Sequence, residues 1–176
     1  MPALSPPAPR VLVALGSNLG DSRSILEAAM DQLERLSAGP ARRSSIWRST
    51  PVDCPPGSGL FLNAAISLKP RLTDRAESWL RELQNVEAAM GRQRKAVLNE
   101  PRILDLDLIA WGQEVRNTPE LILPHPRAHL RRFVLAPLAE IAPEFLLPGQ
   151  RKTVAELLED LHTDEDVRRT EEKPPC

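Results

Sequence analysis

The stretch Pro101–Ile109 has the sequence PRILDLDLI, in which two aspartates alternate with leucines. Such alternation predicts a strand, because successive side chains of a strand point to opposite faces of the sheet. We therefore expect Asp105 and Asp107 to share one face, while the leucines on either side of them pack on the other. The strand thus predicts a sheet with one apolar face and one polar face at this point.

A pair of neighbouring carboxylates can form a metal site. Two such anions repel each other unless a cation lies between them. Mg²⁺ binds one or two carboxylates and takes water and phosphate oxygens as its other ligands, so it fits Asp105 and Asp107. The alternative is a half-exposed strand with two solvated aspartates, because short D-x-D matches are common.

The segment just upstream of this strand is basic. Arg92, Arg94, Lys95 and Arg102 are four cations within eleven residues. The arginine side chain offers a fork of donors that matches phosphate oxygens, and transfer of phosphate groups requires cations of this kind beside a metal. A solvated basic loop is the alternative, but the adjacent aspartates favour a phosphate-handling site.

Working outward from this strand, apolar periodicity and turn residues predict five further elements. In chain order the elements are strand Val11–Leu15, helix Ser22–Leu36 with Asp21 as its N-cap, strands Ala41–Trp47 and Phe61–Leu68, a helix from its cap Thr73 to about Met90, and strand Leu104–Trp111. Their order, β-α-β-β-α-β, is that of a ferredoxin-like α+β fold, in which helices pack on an antiparallel sheet. Further predictions are a brief return strand after Gly112-Gln113 and short helices over Phe133–Ile141 and Val154–Leu161.

Composition predicts one globular domain with tails. The chain has 176 residues, of which 41% are hydrophobic and 27% are charged. Four prolines in residues 1–10 predict a disordered arm, and the charged residues 163–176 predict a flexible tail, which leaves 11–162 as the folded domain. The loop Ser49–Gly59 is long and irregular, as functional loops often are.

Charge and cysteine usage exclude several classes of protein. A net charge of −1 gives no general attraction to nucleic acid or to an anionic membrane. Cys54 and Cys176 belong to no metal or redox motif, and the N-terminus has no signal-peptide pattern, so we expect a cytoplasmic protein. No apolar run could span a membrane and no apolar stripe indicates a dimer, so we expect a monomer that binds small molecules.

Several other residues are candidates for ligand binding. Residues 16–20 (GSNLG) form either a tight turn or an anion-binding turn between the first strand and helix. Phe61 and Phe133 are two of only six aromatic residues and could enclose a flat heterocycle, although each, taken alone, is more often a core residue. Asn63, two residues after Phe61, could donate and accept along the edge of such a ring. His125 is restrained by the prolines on either side.

Seven stretches resemble, in order, the motifs of 6-hydroxymethyl-7,8-dihydropterin pyrophosphokinases, which are enzymes of the folate pathway. These stretches are Val13–Asp21, Trp47–Val52, Phe61–Ala65, Glu87–Arg94, Pro101–Asp107, Leu123–Arg127 and Arg131–Leu138. The resemblance covers residues 11 to 162 and is specific as a set. It implies transfer of pyrophosphate from ATP to the hydroxymethyl oxygen of the pterin, with release of AMP.

The resemblance also implies roles for individual residues. The catalytic residues are Arg92 and Arg102, which clamp the phosphates, and Asp105 and Asp107, which hold two Mg²⁺ ions against ATP. The residues along the ATP site are Gln84, Glu87, Arg94, Arg102, Leu108, Ile122, His125 and Arg131. Those of the pterin site are Ser49, Thr50 and Val52 through their backbone, Phe61 and Phe133 through stacking, and Asn63 at the ring edge.

This chain departs from the family pattern just before Pro101. The family has a basic residue, an aromatic and a small residue where this chain has Leu98, Asn99 and Glu100. Because loop closure often limits turnover, we expect altered turnover or pterin affinity. Asp53 also stands where a glycine is common.

Two other functions remain open at this point. One is a binding protein of the same fold that has lost efficient transfer, which Leu98–Glu100 favours and the arginines and aspartates oppose. The other is an RNA-binding ferredoxin-like module. The net charge and the lack of an aromatic stripe count against it.

Overall fold

The computed structural model describes residues 9–92 and 101–171. Its strands are β1 (Val11–Ser17), β2 (Arg42–Arg43), β3 (Trp47–Ser49), β4 (Phe61–Leu68), β5 (Asp105–Trp111), β6 (Arg116–Asn117), β7 (Ile122–Leu123) and β8 (Val167–Arg169). Its α-helices are α1 (Ser22–Leu36), α2 (Ala76–Ala89), α3 (Arg132–Ile141) and α4 (Val154–Asp160), and one 3₁₀ turn covers Ala128–Leu130. No helix of these two ranges has both the length and the apolar character needed to cross a membrane.

The main sheet is antiparallel and centred on β1. Its strand order is β5-β1-β4-β3-β8, and β2 also pairs with β4. β1 is buried along nearly its whole length because it lies between β4 and β5 and is covered on both faces, which explains its near-continuous apolar sequence. The mixed architecture with an antiparallel sheet confirms the predicted α+β, ferredoxin-like class.

Helices cover the sheet on both faces. Val11, Val13 and Leu15 of β1 point toward α1 and α2 and join one apolar core. Leu12 and Ala14 point the other way and join a second core with α3 and α4. β5 obeys the same alternation: its leucines at 106 and 108 lie in the first core, and its aspartates lie on the second face. The sheet therefore separates two apolar layers, and the aspartates belong to the layer of α3.

Two of the predicted elements differ in the structure. The predicted strand Ala41–Trp47 is wrong, since β2 and β3 are separate short strands. Ser44, between them, is buried, and its Oγ accepts a hydrogen bond from the Ala65 backbone N–H at 2.8 Å, so a side chain replaces part of the strand pairing. Helix α2 begins at Ala76 instead of after Thr73, because Asp74 binds the Arg71 N–H in a preceding turn.

The return strand also pairs differently from a simple hairpin. β6 follows the turn at Gly112, but its partner is β7, with which it forms a separate two-stranded sheet. The helices α1, α3 and α4 agree with their predicted positions within one residue at each end. Asp21 caps α1 as predicted, since its side chain accepts from the Ser24 N–H.

The prediction of a flexible tail over 163–176 is wrong for residues 167–169, which form β8. Val167 pairs with Ser49 and Arg169 with Trp47 across β3. The segment carries few apolar residues, so pairing of its backbone, and not burial of side chains, holds it in place. Of the predicted N-terminal arm, residues 1–8 lie outside the described ranges, as do residues 172–176 of the tail.

Candidate active site

A cavity opens between the polar end of the sheet and the start of α3. Most of its lining comes from the ends of β1, β4 and β5, the loop after β3 and the first turn of α3. The lining residues are Ala14, Leu15, Gly16, Ser49, Thr50, Val52, Cys54, Phe61, Asn63, Arg102, Asp105, Asp107, Arg131, Phe133 and Val134. The cavity thus brings together both predicted metal ligands and all six residues predicted for the pterin.

Small residues of β1 keep the floor of the cavity open. Gly16 lies opposite Asn63 on one side and opposite Asp105 on the other, and Ala14 lies opposite Asp107. Residues that oppose each other in antiparallel strands share a face of the sheet. Because Gly16 and Ala14 project little or nothing, space remains between the asparagine and the two carboxylates.

Asp105 lies between two arginines. Its Oδ1 is 2.8 Å from Nη1 of Arg92, and its Oδ2 is 2.7 Å from Nη1 of Arg102. The three side chains are only 12–22% exposed, so their charges interact more strongly than they would in water. The arginines are therefore already aimed at the carboxylate face where an anionic ligand and a cation would meet.

Glu87 supports this arrangement from α2. It forms an ion pair with Arg92, and its Oε1 accepts a hydrogen bond from the Leu106 backbone N–H at 2.6 Å. Burial raises the pKa of the Glu87 carboxyl to about 7, against the opposing effects of these partners. Glu87 is 8% exposed and thus fixes the position of Arg92 from inside the protein.

The donor set beside the cavity suits Mg²⁺. Asp105 and Asp107 supply oxygen ligands, which this hard cation prefers, and two carboxylates are the number that it takes when phosphate oxygens complete its shell. Within 9–92 and 101–171, no group of three or more His, Cys, Asp or Glu side chains could hold a metal by itself. Asp105 and Asp107 could hold an ion whose remaining ligands come from water and a substrate.

The opposite wall of the cavity is aromatic and amide-lined. Asn63 and Ser49 are buried, and the Asn63 amide donates to the Ser49 Oγ at 2.7 Å. Phe61 and Phe133 both line the cavity, and the guanidinium carbon of Arg131 lies 5.4 Å from the centre of the Phe133 ring. A flat ligand with hydrogen-bonding edges would suit this wall.

The loop after β3 is ordered by local contacts. The Cys54 thiol donates to the Val52 carbonyl at 3.2 Å. Asp53 has a φ of 51°, in the left-handed region that favours glycine and that aspartate tolerates better than most residues. A glycine would adopt this backbone conformation at less steric cost than Asp53 does.

Burial and neighbouring positive charges keep His125 neutral. Its backbone N–H donates to the Ile109 carbonyl at 2.9 Å, and its Nδ1 accepts from the Arg127 N–H at 3.2 Å. Burial, followed by the charges of Arg131 and Arg127, lowers the pKa of His125 to about 4. The imidazole therefore presents Nε2–H as a neutral donor.

Arg131 lies between charges of both signs. Burial and the charge of Arg127 lower the pKa of Arg131, while the charges of Asp107 and Glu165 oppose that shift. Its guanidinium also contacts the Phe133 ring. Arg131 thus links the aromatic wall with the carboxylates.

Several residues predicted for ATP lie away from the cavity lining. Gln84 is exposed on α2, Ile122 is 47% exposed on β7, and the Leu108 side chain lies in the core on the opposite face of the sheet. Arg94 lies outside the described residues. Their predicted roles stay predictions.

Two polar residues at the site were not predicted. The Asn18 Oδ1 accepts from the Arg102 N–H at 2.8 Å, so the turn over residues 16–20 holds the start of the aspartate strand. The Nδ2 atom of Asn18 is buried and has no hydrogen-bond partner among the described residues. Glu165 accepts a hydrogen bond from the Phe133 N–H at 3.2 Å. The two glycines beside Asn18 indicated a turn at a strand end and could have marked Asn18 as a site residue. No local pattern could have marked Glu165, because it lies 32 residues from Phe133 in the sequence.

Comparison with known families gives one match over most of the chain. The family model for 7,8-dihydro-6-hydroxymethylpterin-pyrophosphokinase matches residues 12–143. This range contains the aspartate pair, the aromatic wall and both arginines that contact Asp105.

Curated relatives agree with this match. Three proteins named 2-amino-4-hydroxy-6-hydroxymethyldihydropteridine pyrophosphokinase are similar to the chain. The one from Pseudomonas aeruginosa is 38% identical over 146 residues, which cover 81% of this chain and 86% of the relative. The one from Methylorubrum extorquens is 37% identical, and the match covers 86% of this chain and 93% of the relative. The one from Bacillus subtilis is 40% identical, and the match covers 73% of this chain and 75% of the relative.

Solved structures agree with the fold. A Plasmodium falciparum HPPK-DHPS wild-type structure with pteroate superimposes with a TM-score of 0.66 at 13% identity and covers 89% of this chain. Another HPPK-DHPS structure, in complex with substrates, gives a TM-score of 0.67 at 11% identity and covers 88% of this chain. The chain spans 43% of the length of each of these structures.

Proposed function

We propose that this chain, which belongs to the 7,8-dihydro-6-hydroxymethylpterin-pyrophosphokinase family of transferases, transfers pyrophosphate from ATP to 6-hydroxymethyl-7,8-dihydropterin with release of AMP. The observation that carries the proposal is the meeting of Arg92, Arg102 and Asp105 beside a cavity with an aromatic and amide wall. One half of this site suits triphosphate, and the other suits a flat heterocycle.

In the proposed reaction the pterin hydroxymethyl oxygen attacks the β-phosphorus of ATP. The bond from that phosphorus to the oxygen shared with the α-phosphate breaks, AMP leaves with the bond electrons, and the hydroxyl proton is released. Arg92 and Arg102 would move their donors from Asp105 to the phosphate oxygens and stabilise the charge that develops there. When bound, two Mg²⁺ ions held by Asp105 and Asp107 would neutralise phosphate oxygens.

The pterin would lie against the aromatic wall. Phe61 and Phe133 would stack on the ring and Asn63 would bind its edge, since all three line the cavity. Ser49, Thr50 and Val52 would contribute largely backbone contacts. These roles are supported by the shared cavity of all six residues.

The ATP base and ribose would lie along the edge of the cavity near His125, Arg131 and Arg102. The neutral His125 suits this position, because its Nε2–H can donate a hydrogen bond without competing with Mg²⁺ for phosphate oxygens, as a cationic side chain would. We extend the proposal to Gln84, Glu87, Arg94, Leu108 and Ile122 on the resemblance alone. Leu108 would act through its backbone, since its side chain is buried on the other face.

A pterin- or nucleotide-binding homologue that has lost efficient transfer is the second candidate. It is favoured by Leu98, Asn99 and Glu100, which replace a cation and a ring of the family pattern and lie outside the described residues. That the protein is a monomer and lies in the cytoplasm stays a prediction from the sequence.

The test mixes the protein with ATP, Mg²⁺ and the reduced hydroxymethylpterin and follows AMP. The proposed function predicts pterin-dependent AMP formation that is lost in Asp105→Ala and Asp107→Ala. Pterin binding by calorimetry without AMP formation would support the binding homologue. Equal AMP formation by wild type and both variants would show that the metal assignment is wrong.

A further inference from the structure

Residues 163–170, which we term the C-terminal segment, touch both walls of the cavity. The Glu165 carboxylate accepts from the Phe133 N–H at 3.2 Å. The next residue, Asp166, accepts the Thr50 N–H on its carbonyl at 3.1 Å and donates its own N–H to the Thr50 Oγ1 at 3.3 Å. Since Thr50 and Phe133 both line the cavity, two consecutive residues bridge the loop after β3 and the start of α3.

The C-terminal segment is fixed at both of its ends. After Asp166 it continues into β8, which pairs with β3. Thr170 then donates from its N–H and Oγ1 to the Ile46 carbonyl at 2.9 and 2.8 Å, and its Oγ1 accepts from Arg23 at 2.8 Å. Before the segment, the Leu161 carbonyl accepts from Arg132 at 2.6 Å. The bridge is therefore held against the body of the protein.

Helix α3 depends on this remote contact for its N-terminal turn. Its N-cap residue, Arg131, makes no capping hydrogen bond through its side chain, and the first turn contains no acidic residue. The first backbone N–H groups of a helix need acceptors from outside it, and a carboxylate there also interacts favourably with the helix dipole. Glu165 supplies both the acceptor and the negative charge, and it does so at Phe133, whose ring forms part of the aromatic wall.

We propose that Glu165 is a positioning residue for the pterin: it fixes the first turn of α3 so that the Phe133 ring faces the cavity, while the Asp166 backbone fixes Thr50 opposite. The proposal rests on the proposed function, because it takes the cavity as the pterin site. It assigns Glu165 no contact with ATP. The charge of Glu165 also acts on Arg131, which is proposed for the ATP site, so its loss should weaken pterin binding more than it changes ATP binding.

The experiment compares the full-length variants Glu165→Ala, Glu165→Gln and Asp164→Ala in steady-state AMP formation. Glu165→Ala should raise the KM for the pterin about tenfold, because it removes a charge-assisted hydrogen bond, while the KM for ATP and kcat change by about twofold or less. Glu165→Gln keeps an oxygen acceptor and should restore most of the affinity. Asp164→Ala removes the same charge from an exposed neighbour and should match wild type.

The outcomes separate the inference from the function on which it rests. A wild type that forms no AMP and binds no pterin in calorimetry contradicts the proposed function. With an active wild type, an equal pterin KM in Glu165→Ala and Asp164→Ala would overturn the inference. A lower kcat with unchanged KM would also overturn it, because a merely structural role reduces the active fraction alone. Calorimetric Kd values for the pterin give the same comparison if turnover is slow.

Discussion

The two faces of the sheet differ in how far helices cover them. On one face, α1 and α2 bury the leucines of β5 in a continuous apolar core. On the other, α3 and α4 cover only part of the sheet, and the end that carries Asp105 and Asp107 opens into the cavity. Strand β5 thus packs its leucines into the core on one side and presents its aspartates to the cavity on the other. Substitution of a leucine should therefore lower stability, whereas substitution of an aspartate should lower activity.

The largest expected effect lies on the face of the sheet that carries Asp105 and Asp107, which we term the open face. Asp107→Asn keeps the shape of the side chain but removes the charge that would hold Mg²⁺, so AMP formation should fall about 10³-fold. The midpoint of thermal unfolding should stay close to that of wild type, because the side chain lies at a cavity and not in a core. Initial rates and thermal melts on the same preparation check both statements, and a large loss of stability would contradict the separation of the faces.

On the covered face the expectation is reversed. Leu106 lies between the two aspartates in sequence but is 6% exposed in the apolar core. Leu106→Ala should lower the free energy of unfolding by about 3 kcal/mol, because it leaves a cavity, while its backbone N–H can still donate to Glu87. Urea unfolding measures the loss. A variant as stable as wild type would mean that this face is less well packed than the structure shows.

His125 should make stability depend on pH at the open face. Its pKa is about 4 in the folded protein against an ordinary value near 6.5. Between these values the unfolded chain gains a proton that the folded protein does not bind, so stability is present above pH 6.5 and is lost as the pH falls. Between pH 6.5 and 4.5 the loss from this group should be about 2 kcal/mol.

Urea unfolding of wild type and His125→Asn across this range isolates the imidazole. The asparagine oxygen can replace Nδ1 as the acceptor for Arg127 but does not titrate. Glu87, whose pKa is raised to about 7, stabilises the folded protein as the pH falls and does so equally in both proteins. Subtracting the two pH profiles therefore removes its contribution. Identical pH profiles would show that His125 is not buried as a neutral group.

The smallest expected effect concerns the stretch beside the open face. The double change Leu98→Arg with Asn99→Trp restores the cation and the ring of the family pattern and should raise kcat about threefold, if closure over the substrate limits turnover. Pre-steady-state and steady-state AMP formation measure it. Unchanged kinetics would mean that other residues already compensate for Leu98 and Asn99.

The fold was largely predictable because periodicity reports burial. Helix α1 and strand β4 have the bounds that their apolar spacing predicts, Ser22–Leu36 and Phe61–Leu68. The errors lie where single polar contacts decide the structure. Ser44 interrupts a strand by binding a backbone N–H, and β8 is held by pairing that its charged sequence does not predict.

For the site, the resemblance supplied the candidate residues, and the fold brings several of them together. Asn63 and Asp105, which come from distant segments, line one cavity, and their roles stay predictions. Local patterns could not place Glu165 beside Phe133, because that contact depends on the path of the chain after α4. Leu108 shows the opposite limit: its position in a motif does not put its side chain at the cavity.

The central claim is that the cavity joins an ATP phosphate site to a pterin site for transfer of a diphosphate. The most direct measurement is product analysis by mass spectrometry after incubation of the full chain with ATP, Mg²⁺ and 6-hydroxymethyl-7,8-dihydropterin. The account predicts AMP and the pterin diphosphate in equal amounts, and neither product when EDTA is present. Formation of ADP with a pterin monophosphate, or no pterin-dependent turnover at all, would contradict it.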